Sequence, residues 1–385
     1  MSMQYRTLGK TGIKAGVIGL GCEGLLNKPY GEVEKIVGAA LDGGMNMFDF
    51  FSPNKEARSN FGKAIKGKRD KVFIQGHIGS TDIHEQNDVS RDLDTCKKYF
   101  ESYLTDMGTD YIDFGMLFFV DTPNDFKTIF EGELLSYVQD LKKKGVIRHI
   151  GAGSHNSEIA QRIVKTGVVD LIMFSVNPVF DMAPAEADIY EMLDDEKGKA
   201  HFTAKIQPAR AALYRLCEEK EVGITTMKTL HAGRLLSAQL SPFGSPLTPA
   251  QCIHYALTRP AVVSTLIGCK TPEEVKDTLR YFDMRDDEKD YSGIIQNYQG
   301  DYKGNCMYCN HCQPCPSQID VAALTKYLDL ARQNEKDIAP TVTQHYKALV
   351  KHGSDCVSCG NCEKRCPFSV PIIKNMKKAA ELFGL

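Results

Sequence analysis

The stretch GVIRHIGAGSHNSEIAQRIVKTGVVDLIMFSVNP, residues 145–178, decides the fold. It holds two short apolar runs, at 147–151 and 171–175. Between them, residues 157–166 place apolar side chains three and four positions apart, which is the periodicity of an amphipathic helix. Two buried strands joined by a helix predict a βαβ unit with parallel strands, because the helix carries the chain back to the edge from which it started.

The same alternation runs through the first 285 residues. Strands are predicted at 17–20, 47–49, 72–75, 113–119, 147–151, 171–175, 223–227 and 263–266. Helices are predicted at 32–42, 88–107, 126–144, 157–166, 208–220, 249–258 and 272–282, with Gly43, Gly44 and Gly145 placed to end helices. Eight βα repeats favour an α/β fold of the (β/α)8 TIM-barrel type, and an open doubly wound sheet is the alternative.

The composition is that of a globular protein. Of 385 residues, 42% are hydrophobic and 25% are charged, and the formal net charge is −2. Without a basic surplus we expect no nucleic-acid partner and no anionic membrane surface as partner. Neither a signal-peptide core nor an apolar run of about 18 residues occurs, so we expect a cytoplasmic protein without a membrane span.

The chain changes character near residue 285. Residues 286–305 are polar and are interpreted as a linker between the barrel, 1–285, and a smaller domain, 306–385. The smaller domain holds helix candidates at 319–333 and 342–350. Within the barrel, the irregular segment 181–206 follows the sixth strand, where a barrel carries a loop over its mouth. We expect this segment to cover a small-molecule substrate.

Eight of the 13 cysteines form two groups in the smaller domain. The groups are Cys306-x2-Cys309-x2-Cys312-x2-Cys315-Pro316 and Cys356-x2-Cys359-x2-Cys362-x3-Cys366-Pro367. Three thiolates at this spacing bind one [4Fe–4S] cluster, and the fourth cysteine, before proline, ligates the other cluster in two-cluster ferredoxins. One predicted cluster is therefore held by Cys306, Cys309, Cys312 and Cys366, and the other by Cys356, Cys359, Cys362 and Cys315. Two zinc sites, with His311 and His352 as further ligands, are the alternative.

An ordered set of motifs resembles the aldo/keto reductase family. The set begins with YRTLGKTGIKAGVIGLG and GMNMFDF and continues with TDYIDFGML, GVIRHIGAGSHN, MFSVNP, GITTMKTLHAGRL and STLIGCKTPEEVKDTL. The cysteine-rich tail resembles that of a ferredoxin-fused branch of the family. The resemblance implies a barrel that binds a nicotinamide cofactor, NADP or NAD, across the mouth without a Rossmann fold.

The resemblance also implies which residues hold that cofactor. Gly21 and Asp49 would lie near the nicotinamide, with Ser154 and Asn177 at its carboxamide. Lys228, Leu230 and Gly233 fall on the segment that wraps the pyrophosphate. The adenosine end would be held by Gly268, Lys270, Thr271 and Glu274, at the start of a helix whose N-terminus suits a phosphate.

The catalytic tetrad of the family, Asp-Tyr-Lys-His, is largely replaced. Asp49 is kept, whereas the tyrosine, lysine and histidine positions correspond to Asn54, His77 and Phe118. Asn54 can donate a hydrogen bond to a carbonyl oxygen but cannot act as an acid. His77 can change its protonation near neutral pH, and a carboxylate beside it would favour its charged form. We therefore predict an Asp49–His77 acid–base pair with Asn54 as polariser; a catalytically inactive pocket is the alternative.

Two further residues are candidates for proton transfer. His155, in GSHN after the fifth strand, is predicted at the same mouth, and a purely structural histidine is the equal alternative. Tyr30, in the loop after the first strand, is a weaker candidate acid.

Together these features predict an iron–sulfur oxidoreductase that acts on a small, carbonyl-like organic substrate. Electrons would pass through the two clusters to or from an external carrier such as a ferredoxin or a flavoprotein. Two other functions stay open: a lyase, isomerase or dehydratase without net redox chemistry, and an electron-transfer subunit without catalysis.

Overall fold

The computed structural model describes residues 2–83, 88–182, 206–296 and 303–385. The chain forms two compact units. The first comprises residues 1–176, 222–229 and 262–283, and the second comprises 177–221, 230–261 and 284–385. The predicted boundaries at 285 and 305 stay a prediction. Residues 183–205, which make up most of the predicted mouth segment 181–206, lie outside the described residues.

The first unit contains a closed barrel of eight parallel strands. In chain order the strands of this unit are β1 (Tyr5–Thr7), β2 (Lys14–Gly16), β3 (Ile18–Gly21), β4 (Met47–Phe50), β5 (Phe73–Ile78), β6 (Ser80–Thr81), β7 (Asp88–Val89), β8 (Ile112–Leu117), β9 (Ile147–Ser154), β10 (Leu171–Ser175), β11 (Gly223–Met227) and β12 (Val262–Gly268). The barrel order is β3-β4-β5-β8-β9-β10-β11-β12, and β12 pairs with β3 to close it. The predicted (β/α)8 barrel is confirmed, and the open sheet is excluded.

A hairpin of β1 and β2 packs on the amino-terminal ends of the barrel strands. Arg6 donates from Nη1 to the carbonyl of Val262, the first residue of β12, at 2.7 Å. Leu8 is fully buried near Gly223, the first residue of β11. Because the hairpin occupies this end, the carboxyl ends of the strands are where a site can form.

The helices of the first unit follow the strands as predicted, except that the helix at Lys55–Ala64 was not predicted and two other helices differ in their bounds. They are α1 (Tyr30–Asp42), α2 (Lys55–Ala64), α3 (Leu93–Met107), α4 (Pro123–Phe130), α5 (Glu133–Lys143), α6 (Ser157–Lys165) and, after β12, a helix at Pro272–Leu279. The single helix predicted at 126–144 is wrong, because Gly132 is extended between α4 and α5. The helix predicted from residue 88 begins later, because Asp92 caps α3 by accepting from the Thr95 amide.

The second unit is helical. Its helices are α7 (Pro178–Asp181), α8 (Pro208–Glu219), α9 (Pro249–Thr258), α11 (Asp286–Lys289), α12 (Ser292–Gln296), α13 (Val321–Arg332), α14 (Pro340–Lys347), α15 (Asn361–Arg365) and α16 (Ile372–Phe383). The label α10 is given to the first-unit helix Pro272–Leu279. Glu218 of α8 bonds to His345 of α14, so the cysteine-rich region packs on helices from the middle of the chain.

Asp181 is a fully buried charge in the second unit. It accepts hydrogen bonds from Arg210 Nε at 2.9 Å, Tyr214 Oη at 2.6 Å and Tyr255 Oη at 2.7 Å. A buried carboxylate is stable only with such partners, so this cluster fixes α7 to α8 and α9. Among the described residues, no helix is both long and apolar enough to cross a membrane.

Candidate active site and metal centre

The carboxyl ends of four barrel strands bring several predicted residues together. Gly21 at the end of β3 pairs in register with Asp49 of β4 on one side and with Gly268 of β12 on the other. Asp49 pairs with Gln75 of β5, two residues before His77. The strand register therefore places Gly21, Asp49 and His77 at one end of the barrel, and their roles there stay a prediction.

Asp49 is the centre of a buried polar group. It is 3% exposed, and its Oδ1 atom accepts from His77 Nε2 at 2.7 Å and from Gln75 Nε2 at 2.8 Å. Gln75 in turn accepts from Thr225 Oγ1 at 2.8 Å. The chain Thr225–Gln75–Asp49 holds the carboxylate in one orientation toward His77, as a carboxylate does for the histidine of a catalytic triad.

The second ring nitrogen of His77 has no hydrogen-bond partner in the described structure, although it is buried. The Nε2 atom faces Asp49, so that contact leaves Nδ1 as the ring nitrogen that a ligand could reach. The ring is 4% exposed and lies edge-on to Phe118 at 5.2 Å and to Phe51 at 6.4 Å. An imidazole bonded at one nitrogen, with an unused nitrogen among aromatic rings, is able to exchange a proton with a ligand that reaches it.

Asn54 begins α2. Its Oδ1 atom accepts from the Ala57 amide at 2.8 Å, so the oxygen of the side chain caps the helix. The NH2 group of the carboxamide could then donate to a ligand, and the role of Asn54 as hydrogen-bond donor stays a prediction.

His155 belongs to a second polar group, around Asp121. Asp121 accepts from the His155 amide at 2.6 Å, from Ser154 Oγ at 3.1 Å and, through Oδ2, bonds to His155 Nδ1 at 2.8 Å. Burial would raise the pKa of Asp121, but the hydrogen bonds from His155 and Ser154 lower it overall. Burial also lowers the pKa of Lys228, against the opposing effect of Glu23 and Asp121.

The predicted adenosine site lies at the start of α10. Gly268 and Lys270 are exposed, and Thr271 caps the helix by accepting from the Glu274 amide at 3.2 Å. Glu274 accepts from the Lys270 amide at 2.6 Å, so its carboxylate already occupies part of the electropositive helix terminus.

Three predicted cofactor residues belong to the second unit. Asn177 is fully buried and caps α7 by accepting from the Phe180 amide at 2.9 Å. The Gly233 amide donates to the Leu230 carbonyl at 2.9 Å, which closes a turn in which Gly233 has φ of 83°. That φ is in the left-handed region, where glycine is favoured.

The eight clustered cysteines line two cavities in the second unit. A cavity with about 310 Å³ of empty volume is lined by Cys306, Cys309, Cys312 and Cys366. A second, with about 370 Å³, is lined by Cys315, Cys356, Cys359 and Cys362. Each group thus sends its last cysteine to the cavity of the other group, which is the exchange that the two-cluster rule predicts.

The cysteines surround these cavities without converging on one point. The 13 cysteines form no disulfide. Within the described ranges, no three His, Cys, Asp or Glu side chains are grouped as ligands of a single metal ion.

The surroundings of the first cavity are ordered by hydrogen bonds. Arg365 Nη2 donates to the carbonyls of Cys312 and Pro314 at 2.7 Å each. Burial raises the pKa of Cys309 to about 11 and that of Cys312 to about 12, so a metal that binds them must displace their protons. His311 also lines this cavity, but its Nδ1 atom bonds to Asp290.

Three important residues were missed by the sequence reasoning. Gln75, inside β5, donates to Asp49, and Asp121, four residues after β8, bonds to His155; no motif in the sequence indicates either contact. Arg259 is 1% exposed and donates from Nη2 to the Met307 carbonyl at 2.7 Å, in the loop that holds Cys306 and Cys309. Nothing in the sequence around Arg259 indicates a partner 48 residues away.

Comparison with known proteins agrees with this geometry. The uncharacterized oxidoreductase YqkF of Bacillus subtilis (strain 168) is 22% identical over 296 residues, 74% of this chain and 92% of that protein. The aldo-keto reductase AKR11C1 from Bacillus halodurans, 20% identical, covers 76% of this chain and 95% of its own, with TM-scores of 0.57 for the holo form and 0.53 for the apo form. The model of the aldo/keto reductase family matches residues 17–251, more than half of the chain. The chain therefore belongs to the aldo/keto reductase family.

Proposed function

We propose that this aldo/keto reductase-type oxidoreductase passes electrons through two [4Fe–4S] clusters held in its C-terminal region. One observation carries the proposal: eight cysteines line two cavities, four to each, and each cavity takes one cysteine from the other sequence group. This ligand exchange is characteristic of two-cluster ferredoxins. It also supports the assignment of the chain to a ferredoxin-fused branch of the family.

The residues suit clusters of this kind. Cys306, Cys309, Cys312 and Cys366 would hold the first, and Cys315, Cys356, Cys359 and Cys362 the second. Such clusters supply one-electron chemistry when bound, at potentials that the protein sets through hydrogen bonds and solvent exposure. The Arg365 bonds to the Cys312 and Pro314 carbonyls fix the loop that would hold the first cluster.

In the barrel, the proposed substrate is a small organic molecule with a carbonyl-like group. His77 would move a proton at Nδ1 while Asp49 holds the imidazole by Nε2. Asn54 would donate a hydrogen bond from its NH2 group to the substrate oxygen. In this proposal Asn54 takes the place of the tyrosine, and His77 the place of the lysine, that are expected in the family.

A nicotinamide nucleotide, NADP or NAD, is the proposed two-electron donor or acceptor of the barrel. The half-buried Lys228 and the exposed Lys270 beside the N-terminus of α10 are the basic side chains proposed to meet the phosphates of a nucleotide. Ser154 and Asn177, the predicted carboxamide partners, are fully buried and already hold internal hydrogen bonds. The nicotinamide end thus does not fit as predicted, and we assign no step of the reaction to it.

Paired cysteine substitutions test the cluster proposal. We expect the anaerobically purified protein to hold about eight irons per chain. The double variant Cys306→Ala/Cys366→Ala, which alters one cavity, should keep about four irons. The matched variant Cys306→Ala/Cys362→Ala, which alters both cavities, should lose nearly all of them. Equal iron loss in the two variants would reject the ligand exchange, and stoichiometric zinc in place of iron would reject the clusters.

Turnover assays separate the proposed reaction from its alternatives. Substrate-dependent oxidation of NADPH or NADH supports a reductase. Product formed with neither nucleotide nor reducing agent points to a lyase, isomerase or dehydratase. Reducible clusters in a protein that binds no nucleotide point to an electron-transfer subunit.

A further inference from the structure

The two cysteine cavities differ in their access to solvent. Cys309 and Cys312, at the first cavity, are each 8% exposed. At the second cavity Cys359 is exposed, and Val357 beside it has 69% of its surface open. Electron tunnelling weakens steeply with distance, so a protein that exchanges electrons with this chain has its shortest path at the second cavity.

The surface around the second cavity is basic. Residues 341–385 contain seven Lys or Arg and three Asp or Glu, although the whole chain has a net charge of −2. Lys364 is exposed on α15, and Lys374 and Lys377 are exposed on α16. Lys374 and Lys377 directly follow Ile373 and Met376, which line the second cavity. By contrast, residues 303–320 around the first cysteine group contain one Lys and one Asp.

Of the three acidic side chains in residues 341–385, Glu381 is exposed near the end of α16, and the other two are occupied within the protein. Asp355 pairs with Lys351 at 3.0 Å and accepts from the His352 amide at 2.8 Å. Glu363 is half-buried and accepts from the Ile373 amide at 2.8 Å. Among the charged residues of 356–377 the exposed ones are Lys364, Lys374 and Lys377, and Val357 is an exposed apolar side chain of the same segment.

We propose that the loop 356–362 with Lys364, Lys374 and Lys377, here named the basic face, is the docking surface for an acidic one-electron carrier protein. The inference rests on the proposed clusters and adds the place of electron exchange and the charge of the partner. A small apolar contact within a ring of charge fits the weak, fast encounters of redox proteins. Opposite charge on the carrier would speed the encounter, and salt would slow it.

The test uses the iron-loaded full chain and a reduced acidic ferredoxin as the probe. Stopped-flow absorbance records how fast the clusters are reduced, and interferometry records binding of the oxidised ferredoxin, which does not depend on turnover. We compare Lys374→Glu/Lys377→Glu with the control Lys66→Glu/Lys68→Glu, which reverses two exposed charges of the first unit. A third variant, Val357→Glu, adds one negative charge at the exposed apolar contact.

At low ionic strength we expect affinity and reduction rate to fall about tenfold or more for the Lys374/Lys377 variant and for Val357→Glu, and to stay unchanged for the control. The differences should shrink at about 1 M salt, where the screening length is about 3 Å. If iron content is intact and dithionite reduces every variant, yet all bind and react alike, the docking surface is wrong while the clusters stand. A chain without iron would remove both proposals.

Discussion

The buried His77–Asp49 pair is where the chemistry of single residues can be tested. His77→Gln removes the titratable ring and keeps a side chain that can donate to Asp49. If Nδ1 moves a proton in the reaction, turnover of an identified substrate should fall by about 10²- to 10⁴-fold. Steady-state rates at saturating substrate measure this loss.

Tyr30→Phe is the matched control for His77→Gln. Tyr30 is 37% exposed, and its hydroxyl donates to Glu34 at 2.7 Å, an interaction that raises its pKa. A tyrosine occupied in this way is a poor acid, so the variant should keep full turnover. Full activity of His77→Gln, or loss of activity in Tyr30→Phe, would move the acid–base role away from His77.

Sequence reasoning at this scale can propose partners that lie close along the chain or in neighbouring strands. The cysteine sets follow from spacing within a few residues, and the Asp49–His77 contact follows from adjacent strands. Arg259 and Asp181 could not be predicted, because their stability depends on partners brought together by packing of distant helices. The same limit applies to Ser154, whose hydroxyl is bonded to Asp121, 33 residues away, rather than to a cofactor.

At the scale of elements, two helical glycines differ in the space around them. A Cβ on Gly62 of α2 would lie 2.1 Å from the Met107 carbonyl oxygen at the end of α3, whereas a Cβ on Gly38 of α1 would meet nothing within 4 Å. Gly62→Ala should therefore separate the helices and lower the free energy of unfolding by about 1–3 kcal/mol. Gly38→Ala should raise it by about 0.5–1 kcal/mol through helix propensity.

Chemical denaturation of the two variants under the same conditions checks this pair. Because both changes add one methyl group to a helix, any general effect of alanine cancels in the comparison. Equal shifts in the two variants would mean that the close approach of α2 to α3 does not limit the packing.

Elements were predicted best where apolar periodicity was strong. The strands β10 and β11 have the predicted bounds, because continuous apolar runs mark strands buried on both faces. The helix α2 was not predicted, because its sequence KEARSNFGKA is mostly polar and holds a glycine. The helix α16 was also not predicted, although Ile372, Met376, Ala379 and Phe383 are spaced as on one buried helix face.

At the scale of the whole molecule, an ion pair connects the cysteine-rich region to the middle of the chain. Glu218 of α8 is buried and also accepts from the Ala261 amide at 3.0 Å. The hydrogen bond that Glu218 accepts from His345 raises the pKa of His345, and the same bond lowers the pKa of Glu218 against the effect of burial. The change in composition near residue 285 does not reveal this connection, because composition along the sequence does not show which distant helices pack together.

The pair makes stability depend on pH in a defined direction. His345 has a raised pKa, so its contribution is fully present below its ordinary pKa of about 6.5 and is lost as the pH rises through the raised value. His345→Gln should therefore lower the melting temperature clearly at pH 6 and little at pH 9. Lys347→Gln, an exposed change on the same helix, should give equal shifts at both pH values in thermal unfolding followed by circular dichroism. If His345→Gln lowers the melting temperature by the same amount at pH 6 and pH 9, the proposed contribution of the His345–Glu218 pair to stability is wrong.

The exchanged fourth cysteines have a consequence for how the protein is made. Cys315 serves the cavity of the later group, and Cys366 serves that of the earlier one. A ribosome must therefore add Cys362 before one cavity has its four cysteines, and Cys366 before the other has its own. During translation the thiols of the earlier group emerge well ahead of the residue that completes their site, so the site that begins first is completed last.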